Sequence, residues 1–244
     1  MKTRGVYGPR VGHLRLRPSA AISQSPTTVE SDRSGSSDTQ LVVFDLETGG
    51  LETHRPIIQI AAIAIDEDFN EREVFEVKVR FDETKACPDA LRRIHYRRAE
   101  WKRSAVAPKK AAWAFARFLR SHANVEVFRR DLSVFRVAQL ASHNSQFDGP
   151  FLTEWFDRLD IFLPASYRVF CTLQRAYWFF HENPDLTRPD DFRLATLCEY
   201  FDVPLNPSDA HEALADTRAA IGLLRKLSGN ALVSETDGVR CQLK

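Results

Sequence analysis

The stretch Leu41-Val42-Val43-Phe44-Asp45-Leu46-Glu47-Thr48 decides how the rest of the chain is read. Val42, Val43, Phe44 and Leu46 suit a buried, pleated strand, and Gly49-Gly50 ends it. Residues i and i+2 of a strand point to the same face, so Asp45 and Glu47 project together from an apolar platform. Two carboxylates so placed repel each other and lose hydration. A cation between them removes both penalties. Read alone, the pair also fits two ordinary carboxylates at the end of a half-exposed strand, because a D-x-E pattern is short.

Downstream of the pair, Ile57 to Ile65 is short and β-branched, and reads as a second strand. Glu73 to Phe81 alternates apolar and polar residues, as a half-exposed third strand does. Three strands in close succession predict an antiparallel meander. Residues 88–122 read as helical, with Pro88 and Pro108 each opening a segment. Ala112, Phe115, Ala116 and Leu119 then repeat at helical spacing. Between Arg92 and Lys110 stand eight basic residues against one acid, Glu100, with Tyr96 and Trp101 interleaved. Arg97 and Arg98 sit in the middle of this cluster. It reads either as a phosphate-contacting face with aromatics available for stacking, or as a solvated helical surface.

Residues 123–136 carry no clear pattern. Leu140-Ala141-Ser142 reads as a strand end that feeds His143-Asn144-Ser145-Gln146-Phe147-Asp148. A helix follows, with Phe151, Leu152, Trp155, Phe156 and Leu159 on one face. Tyr167 to Leu173 reads as a further strand running into a helix through Trp178. Residues 181–191 read as a loop, Arg193 to Phe201 as a helix, and Ala210 to Leu227 as the last helix. The fold class this predicts is α/β: a mixed sheet of about five strands, meander first, with helices on both faces.

Composition narrows the class of function. The 244 residues are 43% hydrophobic, enough for a sizeable core, and the net charge of +1 predicts no global preference for polyanions. Four scattered cysteines without a C-x-x-C pair indicate neither a disulfide framework nor a zinc site, which fits a reducing, cytoplasmic setting. No apolar run approaches the ~20 residues that span a bilayer, and no signal-peptide core is present. Residues 1–40 are rich in Arg, Ser, Gly and Pro and carry no acid before Glu30. They read as a disordered basic tail, with an organellar presequence or a nucleic-acid arm as alternatives. Residues 41–228 form the domain and 229–244 a second tail.

The remaining acids complete the pattern. Asp148 follows a strand at the start of a helix, where an Asp can also serve as an N-cap. His211 and Asp216 are five apart, roughly 140° around a helix, so they do not share one helical face. His211 therefore belongs to the first turn or the loop before it. Asp216 lies beside the apolar stripe Leu214, Thr217 and Ile221, where a carboxylate needs a cation or hydrogen-bonding partners.

In order, D-x-E on a first strand, H-N-x-x-F-D after a later strand, and H-x-x-x-x-D in the last helix resemble the DEDDh (DnaQ-like) 3′→5′ exonucleases of the ribonuclease H-like superfamily. Gly50-Leu51, Ile57 to Ile60 and Leu194 to Phe201 agree with it. The resemblance implies that Asp45, Glu47, Asp148 and Asp216 bind two Mg²⁺ or Mn²⁺ ions and that His211 is the general base. It also implies that Thr48 and Leu51 line the pocket of the terminal nucleotide. Asn144 and Phe147 are further substrate-side candidates, though Phe147 also reads as core and Asn144 as a residue that fixes the loop before Asp148. The expected activity is removal of nucleoside 5′-monophosphates from single-stranded or frayed 3′ ends, DNA before RNA. RNA 3′-end trimming is one alternative. An accessory subunit that docks on a polymerase, an integrase or another nuclease is another, and a homodimer is also open. Cys171 stands where many relatives carry Asp before Thr-Leu, and Asp202 where Gly is common. The stretch 119–142 is longer than usual in the family.

Overall fold

A computed structural model describes residues 39–129, 131–206 and 212–229. The two tails read from the sequence fall outside these residues, apart from Thr39, Gln40 and Gly229. The frame is a five-stranded sheet in the order β3-β2-β1-β6-β7. Strands β1 (Leu41–Thr48), β2 (Ile57–Ile65) and β3 (Glu71–Lys78) form the antiparallel meander. The connection from β3 to the other side of β1 runs through α1 (Pro88–Arg93), α2 (Arg98–Ser104) and α3 (Pro108–Ser121), then β4 (Val125–Phe128) and β5 (Val134–Val137). Strand β6 (Leu140–Ser142) then pairs parallel with β1. It is followed by α4 (Ser145–Arg158), β7 (Phe170–Cys171), α5 (Thr172–Glu182), α6 (Leu194–Tyr200) and α7 (Ala213–Leu227).

The alternation along β1 divides the core between the two faces. Val42, Phe44 and Leu46 join one cluster with Phe115 and Leu119 of α3 and with Phe151, Trp155 and Phe156 of α4. Leu41 and Val43 join another with Ile63, Ile65 and with Ala220, Ile221 and Leu224 of α7. Asp45 and Glu47 continue the parity of Val43, so both point to the α7 side. β2 is buried along all nine residues because both of its faces are covered.

Several boundaries differ from the sequence reading. β3 starts two residues early and ends at Lys78, where the chain turns towards Val106 through a bridge at Val79. The strand expected from Tyr167 shrinks to Phe170–Cys171, because its partner β6 offers only three residues to pair with. Tyr167, left outside the sheet, is 86% exposed. The helix that follows begins at Thr172 and outruns Trp178 to reach Glu182. The unplaced stretch after α3 is a separate two-stranded hairpin, β4 with β5, which carries exposed Phe128, Leu132 and Val134 at its outer end. Asp202 adopts a left-handed backbone at φ 51°, which explains why glycine is common there; Asp tolerates that region better than most residues.

Candidate active site

Three elements converge at the C-terminal end of β1, which is itself one of them. β1 supplies Asp45 and Glu47 from one face. α7, packed on that face, brings Asp216 from its first turn. Carboxylate oxygens of Asp45, Glu47 and Asp216 lie within 4.8 Å of one another. The fourth acid, Asp148, comes from the first turn of α4 and is 3% exposed. It lies outside that 4.8 Å group, yet after burial its charge has the largest effect on Asp45. Asp148 is not the N-cap of α4. Asn144 holds that position with φ 61° and ψ 53°, a left-handed conformation that asparagine accepts readily. His211 lies outside the described residues.

Electrostatics mark this group as unlike ordinary surface carboxylates. Burial, then the charges of Asp148 and Asp216, push Asp45 well above the usual carboxylate range. Burial, then Asp45 and Asp216, do the same to Glu47, with Arg93 pulling the other way. Asp148 is raised by burial and by Glu47, against the opposing pull of the Ser142 hydroxyl. Such a group is at odds with itself at neutral pH unless positive charge enters. Oxygen donors at this density suit a hard divalent cation. Cys198, behind the cluster, is no competing ligand: burial and then Asp216 push its thiol up to about 12.

The acids sit in a cleft of about 500 Å³. Thr48, Leu51 and Phe147 line it, as do Arg55, Asp89 and Arg93. Thr48 is buried, and its hydroxyl donates to the Gly50 carbonyl at 2.7 Å. That bond fixes the turn from which Leu51 reaches out at 76% exposure. Gly49 is required in this turn, since a Cβ there would lie 2.8 Å from the Pro56 ring. Two arginines brace the loop from outside: Arg55 donates to the Lys85 carbonyl at 3.1 Å and Arg158 to the Thr53 carbonyl at 2.8 Å. Phe147 serves both readings, packing against Phe151 with ring centroids 4.8 Å apart while lining the cleft.

His143 also borders the cleft, but as a brace. Its Nε2 lies 3.2 Å from the Phe192 carbonyl, which can only accept, so Nε2 carries the proton. Nδ1 then accepts from the Thr172 hydroxyl at 2.7 Å. Burial lowers its pKa to about 4, so the ring stays neutral and ties α4 to α5. Cys171 helps in the same way, its Sγ accepting the Ser145 amide at 3.4 Å at the start of α4.

Asn144, Arg97 and Arg98 do not line the cleft. Arg98 is held by Glu83 through two contacts of 2.8 Å. The aromatics of the basic stretch are not free for stacking either. Trp101 is 6% exposed and donates to the Ile58 carbonyl at 3.3 Å, and the Tyr96 hydroxyl donates to Glu83 at 2.9 Å. Both rings join a small core with Ile58 and Ile94, because the helices of this stretch are too short to bury an apolar face among themselves. Conversely, Arg93, Cys87 and Asp89 reach the cleft without having been singled out for it; the one available signal for Arg93 was its place in the basic run.

Residues 42–126 match the model of the exonuclease family RNase_T. No curated protein matches the sequence. Among solved structures, E. coli exonuclease I in complex with a dT13 oligonucleotide superposes with a TM-score of 0.62 at 18% identity, over 78% of this chain and 41% of that one. The zinc-bound form of the E. coli exonuclease I–single-stranded DNA complex gives 0.62 at 18%, over 81% and 42%. A complex of exonuclease I with an SSB C-terminal segment gives 0.60 at 16%, over 79% and 41%. At identities this low, the superpositions establish the fold alone. The chain spans about two fifths of the length of those proteins.

Proposed function

We propose that the chain is a DEDDh exonuclease of ribonuclease H-like fold, a metal-dependent 3′→5′ enzyme that removes nucleoside 5′-monophosphates from single-stranded or frayed DNA ends. One observation carries the reading: three carboxylates with oxygens within 4.8 Å, two of them raised far above their ordinary pKa, at the floor of an open cleft. Asp45, Glu47, Asp148 and Asp216 would hold the cations. Two Mg²⁺ or Mn²⁺ ions bound there supply Lewis-acid stabilisation of the phosphate oxygens and an acidified water.

The chain's own residues do the rest. Leu51 and Phe147 hold the terminal base and sugar between them, and the Thr48 turn offers backbone groups to the 3′ end. Arg93, exposed beside the cleft and opposing the rise in the Glu47 pKa, faces the incoming backbone. His211 is assigned to take the proton of the attacking water; an imidazole with an ordinary pKa near 6.5 is largely neutral at pH 7. The reading includes a cytoplasmic setting, supported by free thiols at Cys87, Cys171 and Cys198. Among the described residues no helix is long and apolar enough to cross a membrane.

The deciding experiment digests matched 5′-labelled single-stranded DNA and RNA in Mg²⁺ or Mn²⁺. A ladder shortening from the 3′ end, faster on DNA, is expected. Faster digestion of the RNA moves the assignment to RNA 3′-end trimming. No digestion of either strand rejects the reading. The His211→Ala variant is expected to lose most of the rate while its metal-induced rise in melting temperature persists. A wild-type rate in this variant sends the search for the base elsewhere.

A second reading, docking on a larger nucleic-acid enzyme, is favoured by the β4–β5 hairpin. Its Phe128 and Leu132 are 67% and 80% exposed. Sedimentation of the protein alone separates a homodimer from a monomer awaiting such a partner.

A further inference from the structure

A second concavity of about 560 Å³ lies behind α2, away from the catalytic cleft. Arg80, Phe81, Glu83, Tyr96, Arg98 and Lys102 line it. Its one acid is already spent: the Glu83 carboxylate accepts from Nε and Nη2 of Arg98 and from the Tyr96 hydroxyl, and its pKa is lowered accordingly. Arg80 and Lys102 are exposed and have no carboxylate within ion-pair distance among the described residues. Arg80 makes only a long contact of 3.4 Å to the Ala105 carbonyl. The pocket therefore presents uncompensated positive charge, which is the chemistry that receives a phosphodiester backbone.

The same charge continues to the cleft. α1 walls the cleft through Asp89, Ala90 and Arg93. Arg93 at its end lines the cleft, while Arg92, His95 and Arg97 line a shallow depression on its other side. Tyr96 is shared by that depression and the pocket. The acids on this path are all occupied: Asp89 by Arg92 and Glu100 by Lys78. A helix is on the order of 10 Å across, so only a ligand several nucleotides long touches both sites. A single strand with its 3′ end in the cleft is such a ligand; a short acidic peptide has no reason to follow the basic path between them.

We propose that the pocket lined by Arg80 and Lys102 binds the phosphate backbone of the substrate strand upstream of the cleft, as a second single-strand site. The inference rests on the exonuclease reading and extends it from the terminal nucleotide to the strand behind it. The test compares wild type with the Arg80→Ala/Lys102→Ala double variant on a trinucleotide and on an oligothymidylate of about 12 nucleotides, a length within the range single-strand grooves cover. The expected result is a roughly tenfold higher KM for the long substrate with kcat unchanged. Turnover of the trinucleotide stays at the wild-type level. The slope of log affinity against log salt falls by about 1.4, for two lost phosphate contacts on a single strand. An unchanged KM and salt slope overturns the proposal and leaves the pocket to an acidic peptide. An equal KM rise on both substrates overturns it too, because the effect then lies in the cleft. If wild type hydrolyses neither substrate, the exonuclease reading falls. Fluorescence anisotropy of the labelled oligothymidylate with wild type and variant then decides the pocket by itself: weaker binding by the variant supports it and equal binding rejects it.

Discussion

Asp66 is buried and Asp45, one strand away, is half-buried, and their environments push them in opposite directions. Asp66, at the end of β2, exposes 4% of its surface. Its carboxylate accepts the backbone amides of Asp68 and Asn70 at 3.0 and 2.9 Å and the Asn70 side chain at 3.2 Å. Arg72 adds an ion pair at 2.8 Å. The Asn70 amide foremost holds its pKa below the ordinary value. At the other end of the meander, Asp45 and Glu47 meet other carboxylates where Asp66 meets N–H groups, and their pKa values rise. Burial of a carboxylate is thus common to both ends. Only the end where carboxylates crowd one another is built to receive a cation.

The largest effect should come from breaking the acidic end. Asp45→Asn or Asp216→Asn removes a ligand while keeping the shape, and hydrolysis should fall by at least ~10³-fold, about 4 kcal/mol of lost transition-state stabilisation. The fold should survive, because like-charge repulsion is relieved. Full activity of either variant in Mg²⁺ sinks the site assignment.

A smaller effect is expected from the cation itself. Mn²⁺ or Mg²⁺ at about 100 times its dissociation constant should stabilise wild type by roughly 2.7 kcal/mol, read as a higher melting temperature, and should do much less for Asp45→Asn. The sign of the pH effect follows from the raised carboxylates. As pH rises through 3.8 the unfolded chain ionises before the folded one, so the folded state binds more protons in that window. Metal-free wild type should therefore lose stability relative to Asp45→Asn as pH rises above about 4 towards neutrality. A difference that is flat with pH, or that grows on acidification, contradicts the electrostatic account.

The smallest effect tests the contrast from its other side. Asp66→Ala should lower the melting temperature by a few degrees and leave the metal response intact. The stabilisation from Asp66 is present above its unfolded pKa of 3.8 and is lost as pH falls through its lower folded value, opposite in sign to the cleft. If folded Asp66→Ala also loses hydrolysis, the two ends are not separable.

What could be read along the chain was what depends on near neighbours. The parity of β1 placed Asp45 and Glu47 on one face, and the apolar alternation marked the meander. That Trp101 and Tyr96 belong to a small core was not legible, because nothing local says that two short helices must borrow Ile58 from β2 to bury a face. His143 and Thr172 are 29 residues apart, so their bond had no sequence signature beyond the polar pair itself. The hairpin of β4 and β5 was missed for the opposite reason: its residues alternate, but over only four positions on each strand.

By itself the sequence determined the set of acids, their order, and the strand on which the first two sit, since side-chain alternation is a property of the backbone alone. Only the tertiary structure decided which acids lie within 4.8 Å of each other, which arginines remain unpaired, and that Arg93 belongs to the cleft while Arg98 belongs to Glu83. The physical reason is that charge is satisfied or left wanting by whatever packs nearby in space, and those neighbours come from elements far apart in the chain.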